Sequence, residues 1–231
     1  AHALLEITAV DYVVVTTGRF GLFAELICRN RDELQTVIEQ EIGRLDGIHT
    51  VESFPYLSLH YQLAHFDAAR RKDSGETGVV PRALAETDRA IVHALSRDGR
   101  APFQSIADNL EISESQVRTR VNDMIASGVM NVMAIINPMS FAYGSVAWIA
   151  MSVDGAKPVR QVADALAGLA HITYVAITAG RFDIFTEVAC HSDSELLDLL
   201  DSEIRGLPGI AEVEAFLYQH LHYKRLTPIR T

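Results

Sequence analysis

The spacing of hydrophobic positions changes several times along the chain, and these changes predict its elements. Four stretches rich in β-branched and aromatic side chains are typical of strands, at residues 146–153, 174–178, 182–190 and 210–223. Two stretches between them have apolar side chains three or four positions apart, as in amphipathic helices, at residues 158–169 and 192–206. The resulting order β-α-β-β-α-β predicts a ferredoxin-like α+β fold. Gly180 is the expected hairpin turn, and Ser192 or Asp193 the expected cap of the second helix.

A long internal repeat organises the chain. Residues 12–63 align with residues 174–225 without a gap, and 23 of the 52 positions are identical. The first copy reads YVVVTTGRFGLFAELIC and the second YVAITAGRFDIFTEVAC. Unrelated segments would share only a handful of positions, so the module is duplicated. Helices cover one face of such a sheet, and the other copy is the natural partner for its open face.

The first copy lacks counterparts of some elements. Residues 1–8 align with residues 163–170, the end of the first predicted helix. The first strand and most of that helix have no counterpart. Because a four-stranded sheet that lacks one strand is an unusual design, we expect this chain to begin inside a domain. The alternative is a naturally short first copy.

The middle of the chain has the pattern of a small helical domain. Three short amphipathic segments follow one another, with a tight turn at residues 111–113 before the third, which fits a helix-turn-helix. Thr87 and Ser113 are the predicted N-caps, and residues 129–136 the predicted wing strand. The chain therefore divides into four parts: an incomplete first copy of the repeated module (1–66), a polar linker (67–85), a helix-turn-helix domain (86–140) and the second copy of the module (141–231).

The third helix of this domain carries the candidate DNA contacts. Val117, Val121 and Met124 form the stripe that faces the core. The opposite face presents the residues that we predict to touch bases and phosphates, which are Ser115, Gln116, Arg118, Thr119 and Asn122. Arg120 lies at the edge of the apolar stripe, and we predict that it forms a structural ion pair.

Charge argues against DNA binding. The chain has 20 Lys and Arg against 30 Asp and Glu, a formal net charge of −10. Residues 83–140 alone carry five basic and seven acidic side chains. A DNA-binding patch must therefore act against an unfavourable overall field. The alternative is that the third helix is an ordinary solvated helix.

The sequence has few other features that indicate a membrane span, a catalytic site or a metal site. No apolar run approaches the roughly 18 residues of a membrane span, and Cys28 and Cys190 are expected to be free thiols in a reducing compartment. The sequence has no P-loop, GxSxG, HExxH or dinucleotide-binding fingerprint, so we expect no catalytic residues and no cofactor. His220 and His222 lie on one face of a predicted strand, but no Cys or carboxylate is placed to complete a metal site. We therefore predict no metal there.

Three stretches together resemble the Lrp/AsnC, or feast/famine, family of regulators. They are TDRAIVHALSRDGRAPFQSIADNLEISESQVRTRVNDMIASGVM, the connecting VMAIINPMSFAYG, and TAGRFDIFTEVACHSDSELLDLL with its G-x-[YF]-D hairpin. The resemblance implies a winged helix-turn-helix followed by a ligand-sensing RAM domain, here in a tandem arrangement. It also implies that small effectors, usually amino acids, bind between sensing modules near the hairpin.

Carried over by position, the effector residues differ between the copies. The second copy offers Thr178, Gly180, Arg181, Phe182 and Asp183. The first offers Thr16, Gly18, Arg19 and Phe20, with Gly21 in place of the aspartate that could pair an ammonium group. The alternative is that Gly-Arg-Phe is simply a hairpin turn.

The resemblance implies a cytoplasmic, sequence-specific transcriptional regulator of double-stranded DNA, without membrane attachment or enzyme activity. It would pair as a homodimer or higher homo-oligomer through its sensing modules and respond to an amino acid or related metabolite. One alternative is a sirohaem-decarboxylase-like enzyme that holds a tetrapyrrole with Arg19, Arg181, His60 and His222. Another is an effector-binding scaffold that no longer binds DNA.

Overall fold

The computed structural model describes residues 1–62, 84–127, 130, 132 and 143–223. The described residues belong to two compact units. The first combines residues 1–62 with residues 143–223, and the second contains the helices of residues 84–127. Both copies of the repeat thus lie in a single unit. Most of the predicted linker (67–85) and most of the predicted wing strand (129–136) lie outside the described residues.

The second copy has the ferredoxin-like order that its pattern predicts. Its elements are β4 (Ser145–Val153), α6 (Val159–Ala167), β5 (Ile172–Thr178), β6 (Ile184–Cys190), α7 (Asp193–Asp198) and β7 (Ile210–Tyr223). A π-helical stretch, Leu199–Ile204, continues α7. The Ser192 hydroxyl accepts a hydrogen bond from the Glu195 N–H (3.2 Å), which confirms Ser192 as the cap. Strand β6 begins two residues later than predicted, because the Thr178 N–H donates to the Asp183 carbonyl across the hairpin turn.

The first copy repeats the later part of this order. Its elements are α1 (His2–Leu5), β1 (Val10–Thr16), β2 (Leu22–Leu26), α2 (Arg31–Thr36) and β3 (Tyr56–Gln62). A π-helical stretch, Val37–Ile42, continues α2 as in the second copy. Within residues 1–62, the copy contributes three strands where the second contributes four, as the alignment predicts.

The last strand of each copy pairs with a strand of the other copy, and the two copies form one sheet. The seven strands are all antiparallel to their neighbours, in the order β2-β1-β7-β4-β6-β5-β3. Strand β7 of the second copy pairs with β1 of the first, and β3 of the first pairs with β5 of the second. The predicted pairing of the two copies therefore takes place inside this chain.

The edges of the sheet follow from the difference between the copies. In the second copy, β4 lies between β7 and β6. Among the described residues, no strand takes the equivalent place between β3 and β2, so these two strands are the edges. Apolar side chains on β3 are accordingly exposed, with Leu57 at 67% and Leu59 at 48%.

Separate cores cover the two faces of the sheet. On the face that α6 and α7 cover, the fully buried residues include Ile149, Ile184 and Ile204. On the opposite face, aromatic side chains of both copies pack together, around Phe216, Phe185 and Trp148. This second face is the one for which the sequence predicts a partner copy.

The second unit is a three-helix bundle. Its helices are α3 (Glu86–Arg97), α4 (Phe103–Leu110) and α5 (Glu114–Ala126), and the predicted stripe of α5 is buried against Ile91 and Ile106. Ser113 caps α5, as predicted. The prediction that Thr87 caps α3 is wrong: α3 begins at Glu86 and has no side-chain cap. Among the described residues, no helix of either unit is long and apolar enough to cross a membrane.

Candidate DNA-binding and effector sites

The five candidate DNA contacts share one open face of α5. Ser115, Gln116, Arg118, Thr119 and Asn122 are all exposed. The opposite face of α5 is anchored because its three apolar residues are at most 3% exposed. The helix is thus held by one side and offers hydroxyl, amide and guanidinium groups on the other.

Contacts within the helix divide these candidates by role. The Ser113 N–H donates to Gln116 Oε1 (2.9 Å), which completes a reciprocal capping box. The Ser115 hydroxyl lies 2.9 Å from the Ser113 hydroxyl. Gln116 and Ser115 therefore also hold the start of α5, a role that the sequence prediction did not include.

Arg118 has two neighbours on its own surface. Its guanidinium forms an ion pair with Glu114, one turn earlier, and lies over the Phe103 ring with Cζ 5.3 Å from the ring centroid. Its side chain is 58% exposed. An exposed pair of this kind contributes little to stability, so Arg118 can exchange Glu114 for a phosphate or a base at small cost.

Arg120 has the structural role that we predicted. Its Nη1 lies 2.8 Å from Asp88 Oδ1 on α3, and Asp88 is only 9% exposed. The ion pair joins the candidate recognition helix to the first helix of the bundle. Two arginines that are two positions apart on α5 therefore face different surroundings.

The two predicted effector hairpins have the same turn. The Thr178 hydroxyl donates to the Phe182 carbonyl (2.8 Å), and the Thr16 hydroxyl donates to the Phe20 carbonyl (2.7 Å). The glycine of each turn has a positive φ, 134° at Gly180 and 94° in the first copy. This conformation explains why both turns keep glycine.

Each hairpin lies against the other copy. Arg181 Nε is 3.2 Å from Glu52 Oε1, and Arg19 Nε is 3.4 Å from Glu214 Oε1. A Cβ at Gly180 would lie 3.2 Å from the Phe54 ring, and the first hairpin meets Phe216 in the same way. The predicted effector residues are therefore gathered at two related places where the copies meet.

Inside the second hairpin, most side chains already have partners. Thr178 and Phe182 are buried. Asp183 Oδ2 accepts a hydrogen bond from the Val153 N–H (2.9 Å), which fastens the turn to the end of β4. The aspartate thus has a structural contact beside the ammonium-pairing role that we expected. The first copy has Gly21 at this position and no aspartate.

Sequence reasoning missed a pair of carboxylates on the aromatic face of the sheet. Glu187 accepts hydrogen bonds from the Tyr218 hydroxyl (2.7 Å) and the Thr173 hydroxyl (2.8 Å). Glu25, its counterpart in the first copy, accepts one from the Tyr174 hydroxyl (3.0 Å). The signal was present: a glutamate at the same place in two mostly apolar strand segments, LFAEL and IFTEV.

Burial controls the ionisation of these carboxyl groups. It raises the pKa of Glu187, and the hydrogen bonds from Tyr218 and Thr173 lower it by a smaller amount. Burial likewise raises the pKa of Glu25. A carboxyl whose folded pKa exceeds its unfolded value stabilises the fold at low pH, and that contribution is lost as pH rises through the folded pKa.

The substitution Glu187→Gln tests this sign. Glutamine cannot ionise and keeps a carbonyl oxygen for Tyr218, so the stability of the variant relative to the unchanged protein should increase as the pH rises above about 4. The measurement is the free energy of unfolding in urea over a series of pH values. Parallel pH profiles for the two proteins would contradict the raised pKa. Glu33→Gln is the control, because Arg29 lowers the pKa of Glu33 and the sign should reverse.

The histidines of the H-x-H strand and of its repeat have contacts within the chain, and a group of potential metal ligands lies elsewhere. The His222 ring packs edge-on against His2, with 5.3 Å between the ring centroids, and the equivalent His60 has its Nε2 2.8 Å from Asp164 Oδ1. In the part of the chain that the structure describes, one group of three potential ligands stands close together, formed by His171, Cys190 and Glu195. The sequence hides this group because its members come from three different elements.

Comparison with known families yields two matches that together cover most of the chain. The model of an AsnC-type C-terminal dimeric alpha+beta barrel domain matches residues 1–63 and 148–226. The model of the AsnC-type helix-turn-helix domain matches residues 84–125.

Individual relatives agree with these models. An uncharacterised helix-turn-helix-type transcriptional regulator of Pyrococcus abyssi is 38% identical over 132 residues, which cover 57% of this chain and 83% of the relative. The regulatory protein AsnC of Haemophilus influenzae is 26% identical over 131 residues, 56% of this chain and 87% of that protein.

Solved structures share the fold. Escherichia coli AsnC superimposes with a TM-score of 0.53 at 22% identity, over 65% of this chain and 97% of that one. A Neisseria meningitidis transcriptional regulator in complex with L-Met gives a TM-score of 0.51 at 18% identity, over 64% of this chain and 94% of that one. The Mycobacterium tuberculosis leucine response regulatory protein gives 0.56 at 25% identity, over 62% and 97%.

Proposed function

The chain belongs to the Lrp/AsnC family of transcriptional regulators, and we propose that it binds double-stranded DNA sequence-specifically through α5. An amino acid or related small metabolite, bound where the two copies meet, adjusts this binding. The observation that carries the proposal is the face of α5, where five polar side chains are exposed on a helix anchored by its other side.

The DNA-binding step follows from the geometry of this face. An α-helix fits the major groove, and Arg and Asn side chains make the usual base contacts there. Arg118, Thr119 and Asn122 are the foremost base and phosphate contacts, whereas Ser115 and Gln116 order the start of the helix and reach the backbone. The acidic net charge of −10 lowers nonspecific affinity, so recognition depends on this local patch.

The effector step rests on the two hairpins. Both lie at the junction of the copies, where a ligand can change how the copies pair. The related Neisseria regulator, which binds L-Met, supports an amino acid as the ligand class. In the second copy, the Gly180 turn and Asp183 provide backbone and carboxylate groups for an amino acid, and the first copy, without the aspartate, binds more weakly or is silent.

The assembly that we propose follows from the number of helix-turn-helix units. The described residues contain one such unit and two paired copies of the other module. Palindromic half-sites need two recognition helices, so we propose a homodimer or higher homo-oligomer, working in the cytoplasm where its DNA lies.

Nothing at the hairpins favours the tetrapyrrole enzyme. The basic groups of that alternative, Arg19, Arg181 and His60, each lie beside a carboxylate of this chain, which the carboxylates of a tetrapyrrole would have to displace. The relatives are transcriptional regulators. We therefore propose that the chain is a regulator and not an enzyme.

The test joins both steps. The full chain is titrated onto fluorescent duplexes from the region upstream of its own gene, with and without each of the twenty amino acids. We expect binding that weakens steeply with salt and one amino acid that changes the Kd by about 5- to 150-fold. Absence of binding at low salt would favour the scaffold alternative, and an unchanged Kd with all twenty would refute amino-acid control.

A matched variant locates the effector. The substitution Asp183→Asn keeps an oxygen for the Val153 N–H but removes the charge that pairs an ammonium group. It should abolish the amino-acid response while leaving DNA binding and the thermal transition of the free protein nearly unchanged. Arg19→Gln, at the first hairpin, is the control that should keep the response.

A further inference from the structure

We propose that the second copy carries a binding site for a divalent transition metal ion, Zn²⁺ or one of similar softness, formed by His171, Cys190 and Glu195. The imidazole nitrogen, the thiol sulfur and the carboxylate oxygen of these residues all lie within 4.8 Å of one another. The site lies on the helix-covered side of the sheet, away from the aromatic face. It is at the start of β5 and the end of β6, whereas the effector hairpin joins the other ends of these two strands.

Three elements bring the ligands together. His171 immediately precedes β5, Cys190 is the last residue of β6, and Glu195 lies in the first turn of α7. The backbone around them is tied, because the Ala189 N–H donates to the His171 carbonyl (3.0 Å). The Glu195 carboxylate is oriented as well, since its Oε2 accepts the His191 N–H of the α7 capping contact. Its other oxygen, Oε1, is the one that faces His171.

The distances fit tetrahedral coordination with a small adjustment. Metal–ligand bonds of about 2.0–2.3 Å place neighbouring ligand atoms of a tetrahedron about 3.3–3.7 Å apart. His171 Nε2 and Glu195 Oε1 are 3.5 Å apart, so this edge is already formed. The widest separation in the group is at most 4.8 Å, and closing it requires a rotamer shift of about 1 Å.

The ligand chemistry selects the metal class. A thiolate with an imidazole and a carboxylate is a donor set for Zn²⁺ or Co²⁺, whereas Mg²⁺ and Ca²⁺ prefer oxygen ligands alone. Cys190 is buried, while His171 and Glu195 are partly exposed. The metal therefore has an entry path and an open fourth position for water. Its binding releases the thiol proton of Cys190.

The first copy is a natural control for this inference. It retains the cysteine and the glutamate at Cys28 and Glu33, but Ala9 stands where the second copy has His171. Arg29 replaces His191, and its Nε and Nη2 each lie 3.2 Å from Glu33 Oε1. In the second copy, the His191 ring also lies beside the carboxylate, with Nδ1 3.1 Å from Glu195 Oε2, so each copy has a basic side chain next to this glutamate. The difference that decides the metal site is the imidazole, because the first copy has Ala9 where the second has His171.

The experiment is a Co²⁺ titration of the full chain, freed of metal by a chelator and carrying no histidine tag. We expect one equivalent to produce the near-ultraviolet thiolate-to-cobalt charge-transfer band and the visible bands of a tetrahedral site, and Zn²⁺ to displace the cobalt. Loss of a residue that only supports a metal ligand lowers metal affinity by about tenfold or more. Loss of a ligand itself should cost at least as much. His171→Ala, which copies the first module, and Cys190→Ser should therefore lose the site.

Controls separate the proposal from misfolding. Cys28→Ser should keep the full spectrum, because the first copy lacks the histidine. His171→Ala changes a partly exposed side chain, so its far-ultraviolet circular dichroism and its metal-free thermal transition should match those of the unchanged protein. The proposal is overturned if the chain gives no charge-transfer band, if His171→Ala binds Co²⁺ as tightly as the unchanged chain, or if Cys28→Ser abolishes the band.

Discussion

Replacing Arg118 with alanine should weaken specific DNA binding by about 5- to 150-fold, the value of one base or phosphate contact of about 1–3 kcal/mol. The side chain lies on the open face of α5, and its partner Glu114 is exposed enough that their pairing adds little to the fold. The thermal transition of the variant should therefore be nearly unchanged. The measurement is fluorescence anisotropy of the full chain on the duplex that it binds best, at two salt concentrations.

Two neighbours of Arg118 sharpen this prediction. Glu114→Gln releases Arg118 from its ion pair and removes a negative charge near the DNA, so the same assay should show tighter binding. Arg120→Ala should behave in the opposite way to Arg118→Ala. It leaves the nearly buried Asp88 without its ion pair, which costs about 1–3 kcal/mol of stability, while the base-contacting face is intact. If Arg118→Ala lost stability and not affinity, the assignment of the DNA-binding face would be wrong.

Replacing Phe216 with alanine should lower the free energy of unfolding of the first unit by about 3–5 kcal/mol, as for other buried phenylalanines. Phe216 is 0% exposed and lies among rings of both copies, with its centroid 4.9 Å from that of Phe23 and 5.6 Å from that of Phe20. The loss should appear in chemical unfolding followed by circular dichroism. The cavity opens beside the first hairpin, where Gly18 meets the Phe216 ring. The ion pair between Arg19 and Glu214 should therefore be disturbed as well.

The repeat provides the control for this substitution. Phe54 occupies the equivalent position in the first copy and contacts Phe185 and Phe182, but it is only partly buried. Strand β4 explains the difference, because Trp148 lies directly opposite Phe216 in the sheet. Phe54→Ala should therefore cost clearly less than Phe216→Ala. Equal losses would mean that Phe54 is as well covered as Phe216.

Local patterns along the chain predicted much of the helical unit. The spacing of Val117, Val121 and Met124 placed the inner face of α5, and Ser113 was recognised as its cap. These predictions succeed because helical periodicity and capping involve residues within a few positions of one another. The prediction for Thr87 was wrong because a local pattern defines a helix boundary only to within one or two residues, and α3 begins one residue earlier, at Glu86.

The candidate sites likewise combine features that the sequence predicted with contacts that depend on distant segments. The hairpin residues were predicted from the family resemblance in the second copy and from the repeat in the first, and both turns have a glycine at positive φ. That Arg181 pairs with Glu52, and that Asp183 fastens its turn to Val153, depends on contacts between distant segments. The buried Glu187 and the cluster around Cys190 were missed because their partners come from other strands and helices.

Most elements of this protein, its duplication, the apolar side of α5 and its family were predictable from the amino-acid sequence. These properties are carried by neighbouring residues and by similarity between aligned segments. The pairing of β7 with β1 and of β3 with β5 between the copies is seen only in the folded chain, and so is the approach of His171 to Cys190, where the first copy has an alanine in place of the histidine. Such pairings depend on strand register and burial between segments far apart in the chain, which the periodicity of any one segment does not specify.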